Sequence, residues 1–174
     1  MNRILDRLHA AMIRFDAGDP CRIQHLTKVW AYAALIGREE KLSDEQQFIL
    51  ESAALLHDIG IHIAEQKYGH QNGKLQEQEG PAGVRQVLSE IGGYTAEQIE
   101  RICWLVAHHH SYHASKDLDY QILIEADFLV NLFEDHESKE VADAVRKTIF
   151  ITESGKRLLD EMFLSEYVIP KERI

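Results

Sequence analysis

A chain of 174 residues, 45% hydrophobic and 28% charged, is long enough to form one domain that buries roughly two-thirds of its unfolded surface. Its net charge of −10 argues against duplex nucleic-acid binding, which calls for a basic face, although a bound metal can reverse the local sign for a phosphate substrate. No run approaches the roughly 18 uninterrupted apolar residues of a membrane-spanning helix, so no membrane partner is expected.

Ile4, Leu5, Leu8, Ala11, Met12 and Phe15 recur at three- and four-residue steps and predict a first amphipathic helix ending near Gly18. Charged Arg3, Asp6, Arg7 and Arg14 interrupt it, so it does not read as a signal peptide and a cytoplasmic location is expected. Asp19-Pro20 reads as an N-cap followed by proline at the first helical position. The second helix carries Ile23, Leu26, Val29, Trp30, Ala33, Leu35 and Ile36, stops at Gly37, and places His25 beside its apolar stripe. Cys21 and Cys103 sit in apolar helical contexts without CxxC spacing and read as small buried residues in a reducing compartment. Ser43 with Gln46 forms a capping box for a third helix, Asp44 to about His57.

Gly60 to Glu79 is the least regular region, with a short helix over Ile61 to Gln66 and then a loop placed to cover a site. Pro81 starts a further helix closed by Gly92-Gly93, and Thr95 caps the next, which ends in His108-His109-His110. After a loop over Ser111 to Asp119, Tyr120 to Phe133 is strongly apolar and predicts a buried central helix with Asp127 in its middle. Helices over roughly Glu140 to Phe150 and Ser154 to Leu164, broken at Thr152 to Gly155, complete the chain. No strand pattern or internal repeat stands out, and the fold class is all-α.

Leu55-Leu56-His57-Asp58-Ile59-Gly60 runs an apolar helix into a His-Asp doublet, where a glycine lets the backbone turn. Neighbouring side chains on a helix point about 100° apart, so both groups reach one point only if the last turn is distorted. Imidazole nitrogen and carboxylate oxygen suit a divalent metal. Asp127 has a competing reading as a solvated carboxylate or a partner of Arg22, and His25 as a satisfied core histidine. Together, His25, His57, Asp58 and Asp127 offer two nitrogens and two carboxylates from three helices. That set leaves positions open on an octahedral ion for water and a substrate oxygen.

The order His25, His57-Asp58, Asp127 in an all-helical chain resembles the HD-domain superfamily of metal-dependent phosphohydrolases. His57-Asp58-Ile59-Gly60 is similar to its HDIG variant, and Arg22-x-x-His25 and Glu125-Ala126-Asp127 also look like the family. The resemblance runs from about Pro20 to Phe133. It implies a single HD domain over 1–174: a helix over 2–17, a motif-bearing core over about 20–135, and C-terminal helices over about 138–165.

What the resemblance implies is one divalent metal (manganese, magnesium, iron, nickel or zinc) held by His25, His57, Asp58 and Asp127. The reaction implied is hydrolysis of a phosphomonoester, phosphodiester or nucleotide by metal-activated water. Asp58, His109 and His110 are the expected catalytic groups. Glu79 with His109 and His110 would hold a second metal if there is one, with His108 as the extra histidine. The glycine-tyrosine-proline segment of the cyclic-di-GMP branch is missing after the histidines. Lys67, Lys74, Arg85 and Lys116 are weaker candidates for contacting the substrate phosphate. The alternatives are a non-catalytic metal-binding regulatory domain and a di-iron HD-type oxygenase. Leu158, Leu159, Met162, Phe163, Leu164, Tyr167 and Val168 offer a surface for a homodimer, with core packing as the competing use.

Overall fold

The structure is a computed structural model that describes residues 3–166. Among those residues the helical periodicities become nine α-helices and one π-helical turn, with no strand. They are α1 (Arg3–Phe15), α2 (Pro20–Glu39), α3 (Asp44–Leu56), α4 (Gly60–Tyr68), α5 (Gly73–Ile91), α6 (Ala96–Val106), α7 (Leu118–Glu134), α8 (Lys139–Thr148) and α9 (Glu153–Leu159). The π-helical turn is Asp160–Leu164. No described helix is long and apolar enough to cross a membrane.

Caps set most of the starts. Asp19, Asn72, Ser138 and Thr152 each accept from a backbone N–H in the first turn of the helix that follows. Ser43 and Thr95 each form a full capping box. Helices α2, α3 and α7 pack against one another at the centre, and α5 packs on α4 and α6 beside them. Leu26, Val29 and Ala33 of α2 meet Leu50 and Ala53 of α3 and Leu123 and Ala126 of α7 in a core closed to solvent.

Several expectations are corrected by packing. Helix α2 does not stop at Gly37 but runs on to Glu39. A Cβ at Gly37 would collide with the Gln47 carboxamide, so this glycine serves a close approach of α3. The region expected to be irregular is mostly helical, with only residues 69–72 between α4 and α5. Pro81 lies inside α5; the contacts of α5 with α4 and α6 outweigh the intrahelical bond that proline forfeits. Gly60 opens α4 without a positive φ. A Cβ there would strike the backbone carbonyl of Gln76, so Gly60 lets α5 approach and is not needed for a turn.

Cys21 is exposed, because the first turn of α2 presents it to solvent, whereas Cys103 is buried. Phe133 ends the apolar run of α7 but is 60% exposed, with Lys28 Nζ over its ring. At the C-terminal end Leu158 and Leu159 are core residues, Phe163 and Leu164 pack against the core, and Met162 is exposed. Tyr167 and Val168 lie outside the described residues.

Candidate metal centre

The α3–α4 junction is a tight turn in which Ile59 N–H donates to the Leu56 carbonyl and Ile61 N–H to that of Asp58. These three-residue closures overwind the helix end. As a result the adjacent side chains of His57 and Asp58 face a common point, with His57 Nε2 3.8 Å from Asp58 Oδ2. Helix α2 brings His25 to the same point, its Nε2 3.2 Å from His57 Nε2 and 3.7 Å from Asp58 Oδ2. Helix α7 adds Asp127, whose Oδ1 lies 3.2 Å from His25 Nε2 and 3.5 Å from His57 Nε2. All four side chains are buried.

The second half of the site comes from the turn after α6. His109 places its Nε2 3.5 Å from Asp58 Oδ1. Asp58, His109 and His110 can therefore offer three ligand atoms within 4.8 Å of one another, as can His25, His57 and Asp58. Asp58 is shared, its Oδ2 facing His25 and His57 and its Oδ1 facing His109. His108 turns away, stacked on Trp104 with ring centroids 4.3 Å apart.

Surrounding groups set the tautomers. His57 Nδ1 donates to the Ala54 carbonyl at 2.9 Å and His109 Nδ1 to the Val106 carbonyl at 2.7 Å. His25 Nδ1 donates to Glu134 Oε2 at 2.9 Å, and Lys28 Nζ holds the other Glu134 oxygen at 2.5 Å. A ring whose Nδ1 donates presents its Nε2 lone pair, the arrangement typical of metal-binding histidine. Two neutral Nε2 atoms at 3.2 Å cannot bond each other, and they call for a cation or a proton between them. Nitrogens about 2.1 Å from one ion at about a right angle would stand roughly 3 Å apart. Asp127 Oδ1 and His109 Nε2 are buried and have no hydrogen-bond partner among the described residues. The donor set and its unpartnered atoms fit a divalent metal.

Electrostatics agree. Burial alone would raise the Asp58 and Asp127 carboxyls. For Asp58 the imidazoles of His57 and His109 with Arg22, and for Asp127 those of His25 and His57, instead hold them well below the usual range. Burial would lower His25, but Asp127, Asp58 and Glu134 raise it. Burial and the neighbouring His109 push His110 down to about 4, so its ring is neutral at ordinary pH.

Other expected site residues go elsewhere. The Glu79 carboxylate is taken by Lys67 and by Tyr68 Oη at 2.8 Å, and it joins neither ligand group. Lys67 is thereby committed to Glu79, and Arg85 pairs with Glu100 on the surface at 2.8 Å. Lys74 is exposed, and Lys116 lines a separate, mostly apolar cavity with Leu118 and Ile151. The residues of α5 that do reach the site are Gln76, whose Oε1 lies 2.7 Å from His110 Nε2, and Glu77, which accepts from His110 N–H at 3.1 Å. Arg22 does not pair with Asp127; its Nη1 binds Asp58 Oδ2, and its Nε is buried without a partner. The family-like Arg22-x-x-His25 spacing in the sequence places it one helical turn before His25; its pairing with Asp58 is what the spacing alone does not give. Glu134 likewise lies two turns beyond Asp127 on the same face of α7.

The profile of the HD domain family matches residues 22–151, a span that holds every residue of both ligand groups. No curated protein shows a significant match to the chain.

Proposed function

The chain belongs to the HD domain family, and from that premise we propose that it is a metal-dependent phosphohydrolase acting on a phosphomonoester, a phosphodiester or a nucleotide. The observation that carries this reading is the convergence of three tautomer-fixed imidazoles on Asp58 and Asp127, with Asp127 Oδ1 and His109 Nε2 buried there without hydrogen-bond partners. His25, His57, Asp58 and Asp127 would hold the metal, and Asp58, His109 and His110 would hold a second. A divalent ion in such a site lowers the pKa of water and polarises a phosphoryl oxygen.

The protein's own groups supply the rest. Asp58, which belongs to both ligand groups, would be a ligand in either and in this reading orients the attacking water. Arg22 sits on the Asp58 carboxylate with an unused Nε–H, and in this reading its guanidinium contacts the substrate phosphate. Glu134 fixes the His25 ring, and Gln76 fixes that of His110.

The test loads the protein with manganese or nickel and measures turnover of a panel of phosphate esters and nucleotides, beside Asp127→Ala. Turnover that needs the metal and disappears with it in the variant is the expected result. Full metal occupancy in Asp127→Ala would sink the ligand assignment. Metal retained without any turnover would favour a regulatory domain. Dioxygen consumption by the iron-loaded protein would favour the oxygenase chemistry that the Asp58–His109–His110 group leaves open.

A further inference from the structure

A cavity of about 720 Å³ lies apart from the metal centre. It opens between the end of α1, the turn into α2, and the facing sides of α4 and α5, and none of the metal-ligand candidates lines it. Asp16, Asp19 and His62 supply its charge, and none of its lining residues is a lysine or arginine. Phe15 and Ile63 add apolar wall, and Gly83 keeps the α5 side low, because a Cβ there would press on Ile63 at 2.9 Å.

Asp16 is the anomalous group. It is 4% exposed, yet no hydrogen bond reaches its carboxylate among the described residues. The nearest basic atom, His62 Nε2, stands 3.4 Å away, beyond ordinary hydrogen-bond length. Burial dominates its ionisation and pushes it up to about 6, in spite of opposing influence from His62 and Arg22. A buried carboxylate without a donor is costly unless something else supplies one. His62 Nε2 also lies 3.6 Å from Asp19 Oδ2, while its Nδ1 is taken by Glu65 Oε2 at 3.2 Å, so Nε2 stands between the Asp16 and Asp19 carboxylates at longer than ordinary hydrogen-bond length.

We propose that this cavity binds an organic ammonium ligand, with the buried Asp16 carboxylate as its anchor, Asp19 as a second acceptor, and Phe15 and Ile63 against its carbon chain. A bare metal ion fits less well. Asp16, Asp19 and His62 do not form a set of ligand atoms within 4.8 Å of one another, and the volume far exceeds that of one ion. An ammonium group carries three donors on a carbon body, which answers both the acceptors and the space. The site is separate from the proposed phosphohydrolase centre and does not depend on that reading.

The test is calorimetric titration of the full chain with putrescine at neutral pH. Manganese is present in every titration, and butanol serves as the uncharged control. The expected result is saturable binding of putrescine but not of butanol, weakened at least about tenfold in Asp16→Asn and unchanged in Asp127→Asn. Asp19→Asn keeps a competent helix cap and should weaken binding by a smaller factor, which guards against a folding defect in the first variant. No saturable binding by the unaltered protein would overturn the proposal. So would equal affinity in Asp16→Asn, or binding lost in Asp127→Asn, which would place the amine at the metal centre.

Discussion

His25 and His57 face each other with their Nε2 atoms 3.2 Å apart, while the Nδ1 of each is committed to an oxygen acceptor behind it. Neither ring is free to turn its lone pair away, so the pair is pre-arranged to share a positive charge. In the metal-free protein that charge is a proton, which the carboxylates of Asp127 and Asp58 favour. A divalent ion would take the proton's place.

Competition between proton and metal sets the pH dependence. Burial lowers the His25 pKa, but its carboxylate neighbours raise it above 6.5 overall. The contribution of His25 to metal-free stability is therefore complete below about pH 6.5 and is lost as pH rises through the raised folded value. Metal binding has the opposite sign, since it needs the deprotonated ring. Apparent manganese or nickel affinity, measured against a fluorescent indicator, should rise up to about tenfold per pH unit between about pH 6 and about pH 8. A flat profile over that range would remove His25 from the ligand set.

Glu134 touches no other member of the cluster and acts through the His25 ring. Glu134→Gln should leave the fold intact, because the side chain is 31% exposed at the rim. Metal affinity should fall about ten- to a hundredfold, as is usual when the carboxylate behind a ligating histidine is lost. Lys28→Met, which removes the ammonium that pairs with Glu134 and lies over the Phe133 ring, should have a smaller effect. Equal affinity in Glu134→Gln and the unaltered protein would show that His25 does not bind the metal.

Asp16 predicts a pH-dependent gain in stability. Its folded pKa, about 6, lies above the ordinary 3.8, so its contribution is complete below about pH 4 and is lost as pH rises through about 6. Asp16→Asn removes the buried charge. The difference in Tm, variant minus unaltered protein, should be more positive at about pH 8 than at about pH 4.5. A difference that shrinks as pH rises would mean that the carboxylate is better paired in solution than its surroundings indicate.

Gly60→Ala should destabilise the protein by about 1–3 kcal/mol, because the added methyl meets the Gln76 backbone and cannot be relieved by a side-chain rotation. Thermal melts of the metal-free protein measure this directly. The displaced α5 would also carry Gln76 away from His110, so any second-metal affinity should fall with stability. An unchanged Tm would show that α4 and α5 pack less closely than this contact requires.

The sequence by itself determined the all-helical class, most of the helix boundaries, and the four residues His25, His57, Asp58 and Asp127 that meet at one point. Those features are local or periodic: capping side chains sit within a turn of what they cap, and a carboxylate inside an apolar helix is conspicuous wherever that helix goes. Tertiary structure alone decided the rest. Whether Pro81 starts α5 or lies inside it, and whether Glu79 reaches the centre or is captured by Lys67 and Tyr68, depend on how α4 and α5 pack. Which histidines of the 108–110 run turn inward depends on Trp104, which claims His108. The Arg22–Asp58 pair, the Glu134–His25 brace and the Asp16–His62 contact join groups 36, 109 and 46 positions apart. No periodicity encodes such meetings, because they follow from the angles at which helices cross, and those angles are set by the shapes of the whole core.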